Sequence, residues 1–411
     1  MNLIRDVRSV LNFTVIVAGL GYFVDLFDIT LFGVVRVASL RDLGITDPAA
    51  ILSSGLAIYN SQMAGMMIGG ILWGVIGDRK GRLSVLFGSI LLYSFANIAS
   101  AFAWDVTSYA IFRFLGGVGL AGELGAAITL VSESLPKEKR GLGTTIVAAL
   151  GMLGIVAAAL IGQLVHWKTA YIMGGVMGLL LLLARFKISE SAMFSKAGHA
   201  AANPFLVFTG GRFKKYMSCI LIGIPIYFTT GILFTFAPEL TAGLGVKGTV
   251  TAGNAILFGS FGLTLGDILA GLMSQWLRSR KRAIGLSLVA GYSLVLVYCF
   301  ASGLTSTMIY VLSFLIGTTV GYWAVLVTMA AEQFGTNIRA TVATTVPNFV
   351  RGSALFAVSF FAYLKNQISV PQAALAVGTI CFGVALLALT QVEETFGRDL
   401  DYEERAETRA A

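Results

Sequence analysis

Several charged residues lie inside long apolar stretches, where an ionised side chain is expensive. The main candidates for chemistry among them are Asp25, Asp28, Arg113, Glu123 and Arg351. Asp25 and Asp28 are three residues apart, so on a helix they share one face. Two carboxylates in a low-dielectric cavity do not both ionise cheaply, so one of them is expected to take up a proton readily. A carboxylate of this kind can carry a proton across a membrane, and proton transfer is therefore the first chemistry that these residues predict.

Arg351 predicts a second chemistry, the binding of an anion. Its planar guanidinium can hold a carboxylate through two hydrogen bonds, and Asn348 lies one helical turn earlier. Neutralisation of Arg351 by Asp267 within the protein is the alternative. Aromatic and amide side chains in the same stretches are candidates for a cavity lining, although lipid or core packing is an alternative for each. They are Tyr22, Tyr59, Asn60, Gln62, Tyr227 and Trp323.

The apolar stretches that carry these residues are typical of membrane helices. Of the 411 residues, 56% are hydrophobic and only 12% are charged, about half the charged share of a soluble domain. A spanning helix needs about 20 mostly apolar residues, and its backbone must be helical because the bilayer offers no hydrogen-bond partners. Twelve stretches qualify, which predicts an all-α membrane protein with twelve transmembrane helices in two pseudo-symmetric six-helix bundles. The predicted spans are 11–35, 52–77, 83–103, 107–132, 142–165, 169–185, 216–238, 250–276, 283–302, 306–331, 341–364 and 371–392.

The two halves of the chain repeat each other. Glu133 and Arg140 are seven residues apart at the end of span four, and Glu332 and Arg339 are seven apart at the end of span ten. Parallel repeats of six helices are typical of transporters that bind their solute near the midplane between the halves. We therefore predict an N-terminal bundle at 1–185, a cytoplasmic linker at 186–215, a C-terminal bundle at 216–392 and a cytoplasmic tail at 393–411.

The distribution of basic residues predicts the orientation in the membrane. Most of the 29 lysines and arginines fall in the two tails and in the even-numbered gaps between spans. Because cytoplasmic loops are enriched in these residues, both termini are predicted to be cytoplasmic and the location to be the cell (inner) membrane. The apolar run at 11–35 is too long for a signal peptide and is interpreted as the first span.

Composition argues against several other classes of function. The net charge of +8 lies in short clusters between apolar runs, so no nucleic-acid partner is predicted. The three cysteines are far apart and the chain has two histidines, so no metal, cofactor or catalytic constellation is predicted. A membrane-embedded enzyme and a non-transporting receptor remain as alternatives of another class. The predicted partners are a small-molecule substrate, protons and the lipid bilayer, and the predicted assembly is a monomer.

The gap between spans two and three contains a recognisable motif. Residues 74–82 read GVIGDRKGR, which resembles the loop signature of the major facilitator superfamily. In that family the loop is thought to latch helices in one conformation. The corresponding stretch of the second half, 271–280, lacks the acidic residue, which puts a second latch in doubt. Latch roles are assigned to Gly74, Asp78, Arg79, Gly81, Arg82, Glu133, Arg140, Glu332 and Arg339.

Further resemblance covers nearly the whole chain. Span four reads RFLGGVGLAGELG at 113–125, which is similar to sugar porters and to metabolite–proton symporters. The segment EQFGTNIRAT at 332–341 looks like the loop after helix ten in both groups, with Gly335 where they usually have proline. The segment ETFG at 394–397 resembles the closing motif of sugar porters, again without its proline.

The resemblance implies roles for three of the charged residues. Sugar porters pair a helix-one aspartate with a helix-four arginine, which implies that Asp28 pairs with Arg113 and that protonation of Asp28 frees the arginine. A static ion pair that orients two helices and exposure to a water-filled vestibule are the alternatives. Metabolite–proton and phosphate–proton symporters have an acid at the position of Glu123, which implies a proton or substrate residue. A polar helix–helix contact is the alternative there.

These observations together predict a secondary active transporter that works by alternating access. It is expected to move a small polar metabolite, with an organic anion favoured, by proton-coupled symport. A sugar or polyol porter, in which Arg351 would be structural, is one alternative. A facilitator without proton coupling is another.

Overall fold

The computed structural model describes residues 12–80, 82–123, 131, 135, 140–185, 211–300 and 303–397. The regular elements in this part of the chain are helices, with one isolated bridge between Lys247 and Thr305. Backbone contacts divide the chain into two compact units, Met1–Ala200 and Ala201–Ala411. The predicted linker at 186–215 lies mostly outside the described residues, and a helix already begins at Gly211, within its last five residues. Its boundaries stay a prediction.

The first unit contains six helices in its described part, and these correspond to predicted spans one to six. Asn12 caps the first helix by accepting a hydrogen bond from the Val15 N–H. Asp105 and Ser108 form a capping box at the start of the fourth helix. The pKa of Asp105 is below its usual value because its carboxylate accepts a hydrogen bond from the Ser108 backbone N–H. The helices are α1 (Phe13–Asp42), α2 (Pro48–Lys80), α3 (Arg82–Ala101), α4 (Val106–Leu120), α5 (Arg140–Leu164) and α6 (Trp167–Arg185).

The second unit is less regular, because three of its predicted spans are interrupted. Span seven passes into a π-helical turn at Thr229–Phe234, soon after Pro225. Span ten breaks at Gly321, and span eleven breaks at Ser353. The helices are α7 (Gly211–Phe228), α8 (Ala237–Gly243), α9 (Ala252–Trp276), α10 (Arg280–Phe300), α11 (Ser306–Val320), α12 (Trp323–Glu332), α13 (Thr336–Gly352), α14 (Ala354–Leu364) and α15 (Val370–Gln391).

The surfaces of these helices suit a bilayer. Within the described residues, nine helical stretches are long and apolar enough to cross a membrane by length and composition. Large apolar side chains point outward, such as Leu164 at 80% exposed and Leu387 at 69% exposed. Contiguous apolar surface of this kind is unfavourable in water and favourable in lipid. Each of the twelve predicted spans has a helical counterpart in the structure.

Both units pair their helices in the same way. In the first unit α1 packs on α5 and α6, α2 on α4, and α3 on α4 and α6. In the second unit α7 packs on α13 and α15, α9 on α11, and α10 on α11 and α15. Because these helices hold equivalent places in the two halves, the structure repeats the sequence symmetry.

Glycines bring the paired helices into backbone contact. A Cβ added at Gly65 of α2 would overlap the carbonyl oxygen of Phe114 in α4. A Cβ added at Gly262 of α9 would overlap the carbonyl oxygen of Phe314 in α11. Small residues are what allow membrane helices to approach so closely, and the same contact is built twice.

Candidate functional site

An ion pair lies in the core of the first unit, between Asp28 of α1 and Arg113 of α4. The Arg113 Nη1 atom is 3.1 Å from Asp28 Oδ1, and both side chains are fully buried. Arg113 Nη2 donates to Asn97 Oδ1 of α3 at 2.6 Å. The guanidinium carbon lies 4.9 Å from the centre of the Tyr171 ring of α6. Four helices therefore meet at one arginine, and the contact that the resemblance implied is present.

Each side chain of this pair has an atom that makes no hydrogen bond to any described residue, and a glycine leaves space beside the guanidinium. Asp28 Oδ2 and Arg113 Nε make no hydrogen bond within the described part of the chain. Gly116 leaves space for the guanidinium, because a Cβ there would lie 2.7 Å from Arg113 Nη2. Since a buried charge that loses its partner is strongly destabilising, protonation of Asp28 would leave Arg113 in need of another anion. The arrangement can therefore link a proton to an anion.

A second ion pair is formed by Glu123 and Arg185, the last residue of α6. Arg185 Nη2 is 2.6 Å from Glu123 Oε2, and Nη1 is 2.9 Å from Oε1. Ser89 of α3 donates to Oε1 at 2.9 Å, and Arg185 also donates to the Leu86 carbonyl oxygen at 2.9 Å. Both charged side chains are buried. The contact fits the alternative of a polar helix–helix link.

Sequence reasoning missed Arg185 because it assigned this residue to the gap after span six. The one available signal was its position in the last turn of an apolar helix, where a side chain can turn inward. Arg36 was assigned to an outer gap for the same reason. The structure places it within α1, fully buried and packed against Gly55 of α2.

Four further candidates of the first unit are buried inside it. Asp25 is fully buried on α1. Tyr22 packs against Gly151 of α5, and Tyr59 and Gln62 are buried on α2. Their burial places them in helix contacts rather than on an open surface.

In the second unit three candidates form a chain of contacts at the helix breaks. Arg351 of α13 is fully buried, and its Nε donates to the Tyr227 hydroxyl at 3.2 Å. The Tyr227 and Trp323 rings pack edge to face with their centres 6.0 Å apart. Asn348 is buried one turn before Arg351. Tyr227 precedes the π-helical turn and Trp323 opens α12, so these side chains lie at interruptions of the helices.

Asp267, the alternative neighbour of Arg351, has a different contact. Its Oδ1 accepts a hydrogen bond from the Ala324 N–H at 2.8 Å, which caps the start of α12. The Tyr322 hydroxyl donates to the Ile222 carbonyl oxygen of α7 at 2.8 Å. Two side chains therefore hold the break in span ten.

The latch of the first half lies mostly beyond what the structure describes. Gly74 faces open space on α2. The side chains of Asp78, Arg79, Arg82 and Arg140, and the residues Gly81 and Glu133, lie outside the described part. Their latch roles stay predictions.

The second half has a charged contact at the corresponding place. Arg280 donates to Glu332 through Nε at 2.6 Å and through Nη2 at 2.8 Å. The Thr395 hydroxyl donates to the same carboxylate at 2.7 Å, and Arg339 Nε donates to the Phe334 carbonyl oxygen at 3.2 Å. The acid missing from the 271–280 loop is thus supplied by Glu332 from α12.

Glu394 ties the segment after α15 to the start of α10. Its carboxylate accepts a hydrogen bond from the Ser279 hydroxyl. It also accepts hydrogen bonds from the backbone N–H groups of Arg280, at 2.9 Å, and Lys281. Partial burial opposes the ionisation of Glu394, but these bonds and that from the Phe396 N–H outweigh it and lower its pKa. The segment therefore acts as a helix cap supplied by a distant part of the sequence.

The part of the chain that the structure describes contains no group of three His, Cys, Asp or Glu residues able to hold a metal ion.

Comparison with known proteins gives the family. Residues 18–364 match the profile described as Major Facilitator Superfamily. The niacin transporter of Acinetobacter baylyi is 28% identical over 362 residues, which is 79% of this chain and 80% of that protein. The 3-(3-hydroxy-phenyl)propionate transporter of Escherichia coli is 28% identical over 349 residues, or 81% and 83% of the two chains.

A solved structure supports the fold. The crystal structure of a D-xylose-proton symporter is similar with a TM-score of 0.72 at 19% identity, over 94% of this chain and 99% of that one. The prediction of twelve transmembrane helices in two six-helix bundles is confirmed, and so is that of a transporter rather than an enzyme. The chain belongs to the Major Facilitator Superfamily and is a multi-pass membrane transporter of small metabolites.

Proposed function

We propose that this transporter is a proton symporter for a small carboxylate, and that the carboxylate is attached to or near an aromatic ring. The observation that carries the coupling is the buried pair of Asp28 and Arg113. A proton on Asp28 removes the charge that holds Arg113, so proton uptake changes the contacts between α1 and α4. Binding to only one of these arrangements is what lets a substrate couple to the proton.

The second unit supports the class of substrate. Arg351 is buried, whereas Tyr227 and Trp323 are partly exposed beside it. A guanidinium next to two aromatic rings fits a molecule with a carboxylate and a flat apolar face. Niacin and hydroxyphenylpropionate, after which two relatives are named, both have this combination.

A sugar or polyol porter is the second candidate. It is favoured by the hydrogen bond from Arg351 to the Tyr227 hydroxyl, since a guanidinium used for structure needs no anionic substrate. We also propose an inner-membrane location with both termini cytoplasmic, on the basis of the basic residues in the even-numbered gaps.

The test of coupling is uptake into proteoliposomes with an imposed proton gradient. Asp28→Asn imitates the permanently protonated form, so it should lose accumulation against a substrate gradient. It should still exchange labelled substrate across the membrane, because exchange needs no net proton movement. Asp25→Asn and Glu123→Gln are the matched variants, since each removes another buried carboxylate of the same unit. Accumulation by all three variants at the parent level would show that coupling does not pass through these carboxylates, and a parent protein that only equilibrates substrate would be a facilitator.

The test of substrate class uses the same vesicles. Niacin, benzoate and 3-hydroxyphenylpropionate should compete with uptake, and xylose and a polyol should not. Competition by xylose alone would favour the sugar porter. Thermal unfolding with each compound gives an independent reading, since a ligand of the folded state raises the melting temperature.

A further inference from the structure

Polar residues connect the two ion pairs of the first unit along α3. Ser89, Tyr93 and Asn97 follow one another at intervals of four residues, so they lie above one another on one face of the helix. Ser89 contacts Glu123 of one pair, and Asn97 contacts Arg113 of the other. Tyr93 therefore occupies the level between the two pairs.

Helix α1 has residues at the same three heights in the bundle as Ser89, Tyr93 and Asn97 of α3. A Cβ added at Gly21 would lie 3.1 Å from Glu123 Oε2 and would overlap the Arg185 guanidinium. Seven residues later, Asp28 belongs to the other pair. Asp25 lies between them and is fully buried. Steps of three to four residues correspond to a rise of about 5 to 6 Å, which is the spacing of the levels.

Tyr93 is enclosed by glycines on two other helices. A Cβ at Gly119, near the end of α4, would lie 2.7 Å from Tyr93 Cβ. A Cβ at Gly178 of α6 would lie 2.9 Å from Tyr93 Cε2. The ring is fully buried as a result, and its position between the helices is fixed.

The hydroxyl of Tyr93 is surrounded by charge but has no hydrogen-bond partner within the described residues. The charged groups that act on it are Asp25 and Asp28 of α1, Glu123 after α4, and Arg185 of α6. A buried hydroxyl without a partner loses its hydration and gains no protein bond in return, so packing does not explain it.

We propose that the Tyr93 hydroxyl passes protons between Asp28 and Glu123. A phenol both donates and accepts, so its oxygen can take a proton from one side while its own proton leaves on the other. The proton starts on the Asp28 carboxyl and ends on the Glu123 carboxylate, and Tyr93 is neutral before and after. In this proposal one water molecule on each side of the hydroxyl completes the route between levels.

Arrival of the proton has a consequence for the second ion pair. A neutral Glu123 no longer holds Arg185 electrostatically, although Arg185 keeps its bond to the Leu86 carbonyl oxygen. The pair of Glu123 and Arg185 then acts as the second proton site of the cycle. This inference rests on the proposed function, because it takes Asp28 as the point of proton entry.

The experiment compares Tyr93→Phe with Tyr298→Phe. Tyr298 of α10 is also fully buried with no hydroxyl partner among the described residues, but no carboxylate acts on it. Proton-driven uptake should fall by on the order of 100-fold in Tyr93→Phe, the lower end of what a positioned proton-transfer group contributes. Substrate exchange should persist, and both variants should melt at or above the parent temperature.

A solvent isotope effect separates a relay from a structural role. In Tyr93→Phe the proton step should become rate-limiting, so D₂O should slow uptake more than in the parent or in Tyr298→Phe. Incorporation of a ring-fluorinated tyrosine at position 93 gives a second readout, since its more acidic phenol should displace the pH profile of uptake while the ring still packs. An unchanged profile in that protein would count against the relay.

The outcomes distinguish this inference from the proposed function. Parent-level accumulation by Tyr93→Phe, beside an Asp28→Asn protein that cannot accumulate, would overturn the relay alone. Parent-level accumulation by Asp28→Asn would overturn both the coupling and the relay. Loss of accumulation in Asp25→Asn, with Tyr93→Phe unaffected, would show that the proton passes through Asp25 and that Tyr93 is not the carrier.

Discussion

At the scale of single residues, buried arginines determine what each unit can do. Among the described residues, the fully buried arginines are Arg36, Arg113, Arg185 and Arg351. Arg113 and Arg185 each face a carboxylate of their own unit, whereas Arg351 is oriented through the hydroxyl of Tyr227. A guanidinium held at Nε keeps its two terminal nitrogens directed away from that bond. This geometry is what a bidentate contact with a carboxylate requires.

Arg351→Lys should therefore weaken substrate binding although the charge remains. A lysine ammonium cannot hold the Tyr227 hydroxyl and grip a carboxylate at two points at once. A lost hydrogen bond to a charged group costs about 1.5 to 3 kcal/mol, which is a weakening of about 10-fold or more. Titration of the purified protein with a competing aromatic acid would measure it. Tyr227→Phe, which removes only the orienting bond, should have a smaller effect, and unchanged affinity in Arg351→Lys would favour a structural arginine.

Sequence could predict some of these residues and not others, for a physical reason. The resemblance implied that Asp28 and Arg113 are in contact, and the structure places them 3.1 Å apart. Arg185 and Arg36 were missed because charges near helix ends were assigned to loops by position along the chain. Whether such a side chain turns inward depends on a glycine or a carboxylate on another helix, such as Gly55 or Glu123. Such contacts belong to the tertiary structure and cannot be read from the position of a residue along the chain.

At the scale of elements, hydropathy predicted the twelve spans but not their interruptions. Spans seven, ten and eleven remain apolar through their breaks, so a hydropathy average predicts one continuous helix for each of them. Pro225 and Pro347 were local signals, since proline removes a helical hydrogen bond. The break at Gly321 depends on Asp267, which lies in another span and caps α12. Contacts between spans decide such features.

The cap provided by Glu394 predicts a dependence of stability on pH. Its folded pKa is lowered, so its stabilisation is complete above the ordinary carboxyl value of about 4.3 and is lost as the pH falls through the lower folded value. Glu394→Gln removes the charge and keeps the size. The variant should melt below the parent at pH 7, and this difference should shrink as the pH falls below about 4. An equal difference at both pH values, in thermal unfolding in detergent, would contradict the assignment.

At the scale of the whole molecule, the two halves share the same helix packing but contain different buried polar residues. Equivalent helix pairs pack in both units, and Gly65 and Gly262 make the same backbone contact. In the first unit Asp28 pairs with Arg113 between α1 and α4, and Glu123 pairs with Arg185 just after the end of α4. The second unit places Arg351 among interrupted helices. The proposed function therefore places proton handling in the first half and substrate recognition in the second.

The last prediction concerns the orientation of the protein in the membrane. Because basic residues are enriched in cytoplasmic loops, Lys80→Cys and Asp401→Cys should react with a membrane-impermeant maleimide only from the cytoplasmic side. Lys247→Cys lies in a gap of the opposite side and is exposed, so it should react from outside intact cells. The native cysteines, Cys219, Cys299 and Cys381, are buried and should give little background. Labelling of position 80 or 401 from outside would reverse the topology. It would also exchange the two ends of the proposed proton route, so that protons would reach Glu123 before Asp28.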